Sequence, residues 1–230
     1  MNYYKITTLI LSLAFSLPSL AQVDESKMGA WYQYIWNANI GEKGFGLTGD
    51  FQYRDWQVLG DMEQFIARAG ITYKPANTNV KFVFGYANFQ SGVYDDVANV
   101  TGENRIYQDI LLPQKVGNRF YLNHRFRYEQ RWVENQNFRT RWRYTIFMNI
   151  PLNQDNLKKG AVYLAFFNEI FINGERNTGT GTVELFDRNW FSSMLGYSIS
   201  DKMRVQAGVL HHITDGWSKS NLQVTVFQNF

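Results

Sequence analysis

Residues 118–133 read NRFYLNHRFRYEQRWV. Phe120, Leu122, Phe126, Tyr128 and Trp132 fall on one parity; Arg119, Asn123, Arg125, Arg127, Glu129 and Arg131 fall on the other. Side chains alternate with period two only along a β-strand, so this stretch is read as one. After Glu134, Asn135, Gln136 and Asn137 the alternation resumes. Phe138, Trp142, Tyr144, Ile146, Met148 and Ile150 then oppose Arg139, Arg141, Arg143 and Thr145. The two runs predict an antiparallel hairpin with one apolar and one arginine-rich face.

Fainter alternation continues on both sides. The pattern predicts strands at 29–40, 45–56, 62–74, 79–90, 104–113, 118–133, 137–151, 160–172, 187–199, 202–213 and 220–230. Short turns are expected at 41–44, 75–78, 116–118 and 200–202, where Gly, Pro, Asn and Asp gather. Longer polar links are expected at 91–103, 173–186 and 213–219, with 174–181 mobile. Aromatic residues make up 17% of the chain and only 4 residues are Pro, a balance that favours long strands.

Several of these runs exceed the roughly 9–11 residues that a tilted strand needs to cross a bilayer, whereas soluble strands cluster near five or six. Rings mark the ends of the apolar faces: Tyr73, Phe82, Phe120 and Tyr197 at one end, Trp132 and Phe138 at the other. Aromatic girdles at the headgroups have this form. A secreted sandwich or a lipocalin-like barrel also alternates, but neither needs such lengths or girdles. The expected fold is therefore all-β, an antiparallel transmembrane β-barrel of 10–12 strands in an up-and-down meander. Eleven segments were found; the even count usual in such barrels predicts 10 or 12, with one segment near the N-terminus misassigned.

The two termini fit that destination. Lys5 precedes an apolar run at 6–20 that is too short to span and contains Pro18, and Ser19 and Ala21 suit a signal peptidase. Residues 1–21 are thus expected to be a cleaved signal peptide, leaving 22–230 as a single outer-membrane barrel domain of a Gram-negative bacterium. The chain has no Cys, which excludes a lipoprotein anchor and disulfides. At the other end Leu222, Val224, Val226 and Phe230 share a face, and the chain stops on the ring. Phe230 is read as an assembly signal, which makes lipid and the outer-membrane assembly machinery the expected partners.

If the apolar face meets lipid, Arg119, Arg125, Arg127, Arg131, Arg139, Arg141 and Arg143 line one interior wall, with Glu129 the single acid among them. Asp109 and Glu169 are expected to supplement it from neighbouring strands, and Asp50, Arg54, Arg68, Arg188 and Arg204 share the inward phase. Two readings follow: a polar core filled by its own ion pairs, or a small anion-preferring pore in which an anion occupies the lumen. A rim hydrolase would need Ser, His and an acid together. His211 and His212 lie near Asp215 and Ser218, but no spacing is diagnostic, and His124 falls in lipid-facing phase. Loops binding a partner form a further alternative. No metal or cofactor motif appears, and a net charge of +3 gives no reason to expect nucleic acid.

Three motifs carry a family resemblance. They are 125–132 (RFRYEQRW), 163–173 (YLAFFNEIFIN), and Phe186, Asp187, Arg188 and Asn189 continuing to Leu195, Gly196 and Tyr197. With Asn104, Arg105, Ile106, Tyr107 and Gln108 they resemble the bacterial domain of unknown function 2490 family over residues 28–230. The resemblance implies an outer-membrane barrel and implies no activity, cofactor or catalytic residue.

Overall fold

Every strand pairs with its sequence neighbour, and the first pairs with the last. The computed structural model describes residues 27–230 apart from Glu42 and Asp95, and only the backbone of Val97 and Ala98. The expected signal peptide at 1–21 lies outside the described residues. The strands are β1 (Gly29–Ile40), β2 (Phe45–Asp55), β3 (Met62–Tyr73), β4 (Lys81–Val93), β5 (Asp96–Val116) and β6 (Phe120–Val133). They continue as β7 (Arg139–Pro151), β8 (Val162–Asn173), β9 (Phe186–Ser198), β10 (Met203–Ile213) and β11 (Ser218–Asn229). Among the described residues there is no helix.

The barrel has eleven strands, so the expected even count is corrected. All eleven segments read from the sequence are strands. An odd meander closes because β1 pairs with β11 in parallel, from Gly29 opposite Asn221 to Asn37 opposite Asn229. Both strands then run the same way, which places the start of β1 at the end of the barrel opposite Phe230. The seam is reinforced inside by Thr225 and Gln223, which donate to Gln33 Oε1 at 2.9 and 3.3 Å.

The predicted link at 91–103 is also corrected. The β4–β5 hairpin stays paired through it, with Val93 opposite Asp96 across a bulge, so turn-forming residues there kink the ladder without ending it. Each end of the barrel carries one long link, 152–161 at the Phe230 end and 174–185 at the other. The latter is tied down, contrary to expectation: Asn137 N donates to Thr178 O at 2.7 Å, and Thr178 N donates to Gly181 O at 2.9 Å.

The two faces divide by chemistry, with apolar side chains outside and charged ones within. On β6, Phe126 is 47% exposed on the outside while Glu129 is 1% exposed within. Phe84, Trp142 and Leu195 likewise stand outside, and the rings of Tyr73, Phe82, Phe120, Tyr197, Trp132 and Phe138 are all exposed. Trp132 and Phe138 pack at 5.2 Å, and Phe45 and Tyr73 at 4.8 Å, so rings meet across strands at both ends. Outward polar groups find one another: His124 Nδ1 lies 2.8 Å from the Tyr144 hydroxyl, and Asn168 donates to Asn189 at 2.9 Å.

Inside, two apolar clusters flank the charges. One centres on Trp31, Tyr163, Phe167, Phe171 and Trp190, the other on Ile66, Val83, Phe89 and Tyr107. Glycine opposite tyrosine lets two of these rings lie flat on the wall. A Cβ on Gly196 would fall 2.2 Å from Tyr163 Cζ, and one on Gly85 would fall 2.4 Å from Tyr107 Cζ.

Candidate functional site

Strand register sets the electrostatic problem inside the barrel. Arg127 is paired with Arg143, and Arg131 with both Arg105 and Arg139, so like charges sit directly across from one another. Such pairs repel unless acids interleave. Five carboxylates do so: Glu103, Asp109, Glu129, Glu169 and Asp187.

Glu129 occupies the centre. Arg141 donates to its Oε2 from Nη2 at 2.7 Å and from Nε at 2.9 Å, and Arg143 Nη1 donates to Oε1 at 2.7 Å. Arg105 lies 3.4 Å and Arg127 3.9 Å away. One carboxylate therefore meets four guanidiniums. It can do so because a carboxylate offers about four lone-pair sites and the neighbours approach from three strands.

The other acids extend the lattice. Asp109 holds Arg127 with two bonds of 2.6 and 2.7 Å. Glu169 Oε1 accepts from Arg143 Nε at 2.8 Å and from Arg125 Nη2 at 2.9 Å. Glu103 takes Arg105 and Arg131, each through a 2.6 Å bond to Oε1. Asp187 Oδ2 accepts from Arg141 Nη1 at 2.7 Å. Charge-assisted, partly bidentate bonds of this kind are the strong members of their class. Desolvation opposes them, and buried pairs hold only when every partner is in place.

Rings supply the remaining contacts. Arg105 lies 3.6 Å over Phe89, Arg127 4.2 Å over Tyr107, Arg143 4.3 Å over Phe171 and Arg54 3.9 Å over Trp31. Guanidinium planes stack on aromatic faces while their edges donate to carboxylates. Arginine alternating with inward aromatics thus builds a core that is polar in charge and close-packed in shape.

Of the residues picked from the sequence, Arg125, Arg127, Glu129, Arg131, Arg139, Arg141, Arg143, Asp109 and Glu169 all come together inside. Arg119 does not. It lies in the β5–β6 turn, with its side chain 51% exposed and 3.4 Å from Asp155, because alternation ends where the chain leaves the strand. Arg139 is buried and donates to Gln136 Oε1 at 2.6 Å, with no ion pair among the described residues. Sequence reasoning missed Glu103, Arg105 and Asp187. Glu103 and Arg105 share the parity of Asp109: Arg105 lies within the predicted strand 104–113, and Glu103 stands one residue before its start. Asp187 is turned in beside the bulge that shifts the β8–β9 register near Phe171, which alternation cannot anticipate.

The histidines at the end of β10 opposite Phe230 face opposite ways. His211 is exposed, its Nδ1 3.0 Å from Ser220 Oγ. His212 is buried between Trp190 and Trp217, with ring centroids at 5.6 and 4.4 Å. Neither makes a hydrogen bond to Asp215 or Ser218 among the described residues. Phe230 donates its backbone N–H to Asn37 O at 2.9 Å, which extends the closing seam by one residue, and its ring is exposed.

Two cavities lie inside the barrel. One of about 280 Å³ is lined by Arg54, Gln64, Glu103, Arg131 and Arg188. The other, of about 380 Å³, lies toward the Phe230 end among Lys81, Asp109, Asn149, Arg204 and Phe227. Arg68, Arg125 and Phe147 border both. Among the described residues no His, Asp and Glu side chains gather into a metal-binding group.

A family model described as "Protein of unknown function (DUF2490)" matches residues 28–223, which takes in β1 to β10 and the first half of β11. No curated protein and no solved structure matches the chain.

Proposed function

The chain belongs to this family, and we propose that it is an outer-membrane barrel whose lumen is closed by its own arginine–carboxylate lattice. One observation carries the reading: a single strand, β6, turns Phe126 and Trp132 outward into exposure and buries Arg127, Glu129 and Arg131 within. A barrel in water would place these faces the other way round. Dimensions agree. Fourteen residues at about 3.3 Å each and a tilt of about 40° cover about 35 Å, more than the ~25 Å apolar band of such barrels. Cross-strand pairing of outward polar groups such as His124 with Tyr144 suits an environment without water. In this reading residues 1–21 are a signal peptide removed on export, and 22–230 form the one membrane domain. Lipid and the assembly machinery that reads Phe230 are its partners.

Closure is the functional content of the proposal. The lattice runs along the inner wall from β5 through β9, and Arg54 of β2 reaches the Trp190 ring of β9 at 4.9 Å, so a solute passing along the axis would meet packed side chains from both walls. The barrel then serves as a membrane-anchored binding or presenting element and not as a diffusion pore. A second reading, a narrow pore preferring anions, is favoured by the residues common to both cavities, which include Arg68 and Arg125. Fractionation and planar-bilayer recording test both. The protein is expected in the outer-membrane fraction, migrating faster on gels before boiling than after, and passing no steady current when reconstituted. Recovery as a soluble periplasmic protein would end the membrane reading. A stable anion-selective current would replace closure by the pore.

A further inference from the structure

The cavity at the Phe230 end holds cations that make no ion pair among the described residues. Its two acids are fully engaged. Asp50 accepts from Arg68 at 2.7 and 2.9 Å and from Gln52 at 2.7 Å, and both oxygens of Asp109 are taken by Arg127. Lys81 and Arg204 border the same space, and neither makes an ion pair or a side-chain hydrogen bond among the described residues. Arg204 lies 5.5 Å from the Phe227 ring. A second observation is independent of these two. The buried Nε of Arg125 has no hydrogen bond, and Arg127 Nη1 has none either, with Glu129 Oε1 3.9 Å away. Buried donors left without acceptors are uncommon and point to an absent partner.

Placement adds a size. Lys81 stands on β4 and Arg204 on β10, nearly opposite one another around the ring of strands. An eleven-strand barrel tilted by about 40° with strands ~4.8 Å apart is about 22 Å across between walls, so two long cations reaching inward leave roughly 10 Å. The rest of the wall is not polar throughout. Leu111, Phe167, Met194 and Phe227 contribute apolar surface to the cavity of about 380 Å³. Cations on opposite walls with rings and a thioether between them suit a solute with an anionic head and an apolar body.

We propose that this cavity is a binding site for one small organic anion, a carboxylate or phosphate monoester carrying an apolar group. Lys81 and Arg204 receive the charge, and Arg125 supplies a further donor. The site needs the closed interior and does not depend on where the barrel resides, so a test on detergent-solubilised protein stands or falls separately from fractionation.

The test is calorimetric titration of the full chain with benzoate, phenyl phosphate, inorganic phosphate and neutral benzamide, each corrected for protein-free micelles. One aromatic anion is expected to bind per barrel, with benzamide and inorganic phosphate weaker by about tenfold or more. The tighter of benzoate and phenyl phosphate identifies the head group as carboxylate or phosphate. Lys81→Gln and Arg204→Gln should each weaken the aromatic anion by about tenfold, while Arg176→Gln in the 174–185 link should leave it unchanged. Neither interior substitution orphans a carboxylate, so both variants are expected to fold. The comparison of benzoate with benzamide on the unaltered chain decides even without them. Equal binding of benzamide, or full affinity in both interior variants, overturns the proposal.

Discussion

Replacing Glu129 by Gln removes one charge from the centre of the lattice and keeps the side-chain shape. Glu129 is 1% exposed and receives bonds of 2.7 and 2.9 Å from Arg141 and 2.7 Å from Arg143, with Arg105 and Arg127 within 3.9 Å. The amide of Gln offers one acceptor oxygen and turns an N–H₂ donor toward guanidiniums that are themselves donors only. Arg141 keeps Asp187 and Arg143 keeps Glu169, so neither is left wholly without an acid. The loss is still that of a buried pair broken from one side, about 3–5 kcal/mol. The assay is urea unfolding of the barrel in detergent or lipid vesicles, followed by tryptophan fluorescence. Glu184→Gln is the control. It breaks the surface pair with Arg176, whose partners are 57% and 64% exposed, and should change stability by less than about 0.5 kcal/mol. Combining Glu129→Gln with Arg141→Gln should restore part of the loss, with a coupling of about 1 kcal/mol or more. A Glu129→Gln barrel within about 0.5 kcal/mol of the parent would refute the reasoning, since it would mean that water or mobile ions balance the arginines.

Phe126→Arg tests the outer face: in lipid it should cost about 2–4 kcal/mol of unfolding free energy, while at a water-bathed position the same change would fall within about 0.5 kcal/mol. Gly196→Val should lower stability by about 1–3 kcal/mol in a detergent melt, because its Cβ would press on the buried Tyr163 ring, and an unchanged Tm would show that the ring can move aside. A chain ending at Asn229 should leave more protein unassembled, measured as the fraction that runs at its boiled position on unheated gels; assembly at parental efficiency would remove Phe230 from the role of assembly signal.

Alternation is a local property, and what it determines is legible without a structure. Each strand's parity assigns its residues to the two faces, which is why Arg125, Arg127, Glu129, Arg141 and Glu169 were placed inside together and Phe126, Trp132 and His124 outside. The eleven segments themselves were legible for the same reason. What failed lay where the period breaks: Arg119 in a turn, Asp187 beside a bulge, the 91–103 hairpin that stays paired through turn-forming residues. Other features belong to no segment at all. The parallel β1–β11 seam is a property of closing the ring, and it overrode the even count because hydrogen bonds between the first and last strands satisfy their edges in either direction. Which acid meets which arginine is likewise decided across strands. Glu129 gathers guanidiniums from β5, β6 and β7 because register and side-chain reach converge there, and residues far apart in sequence become neighbours only when the barrel shuts.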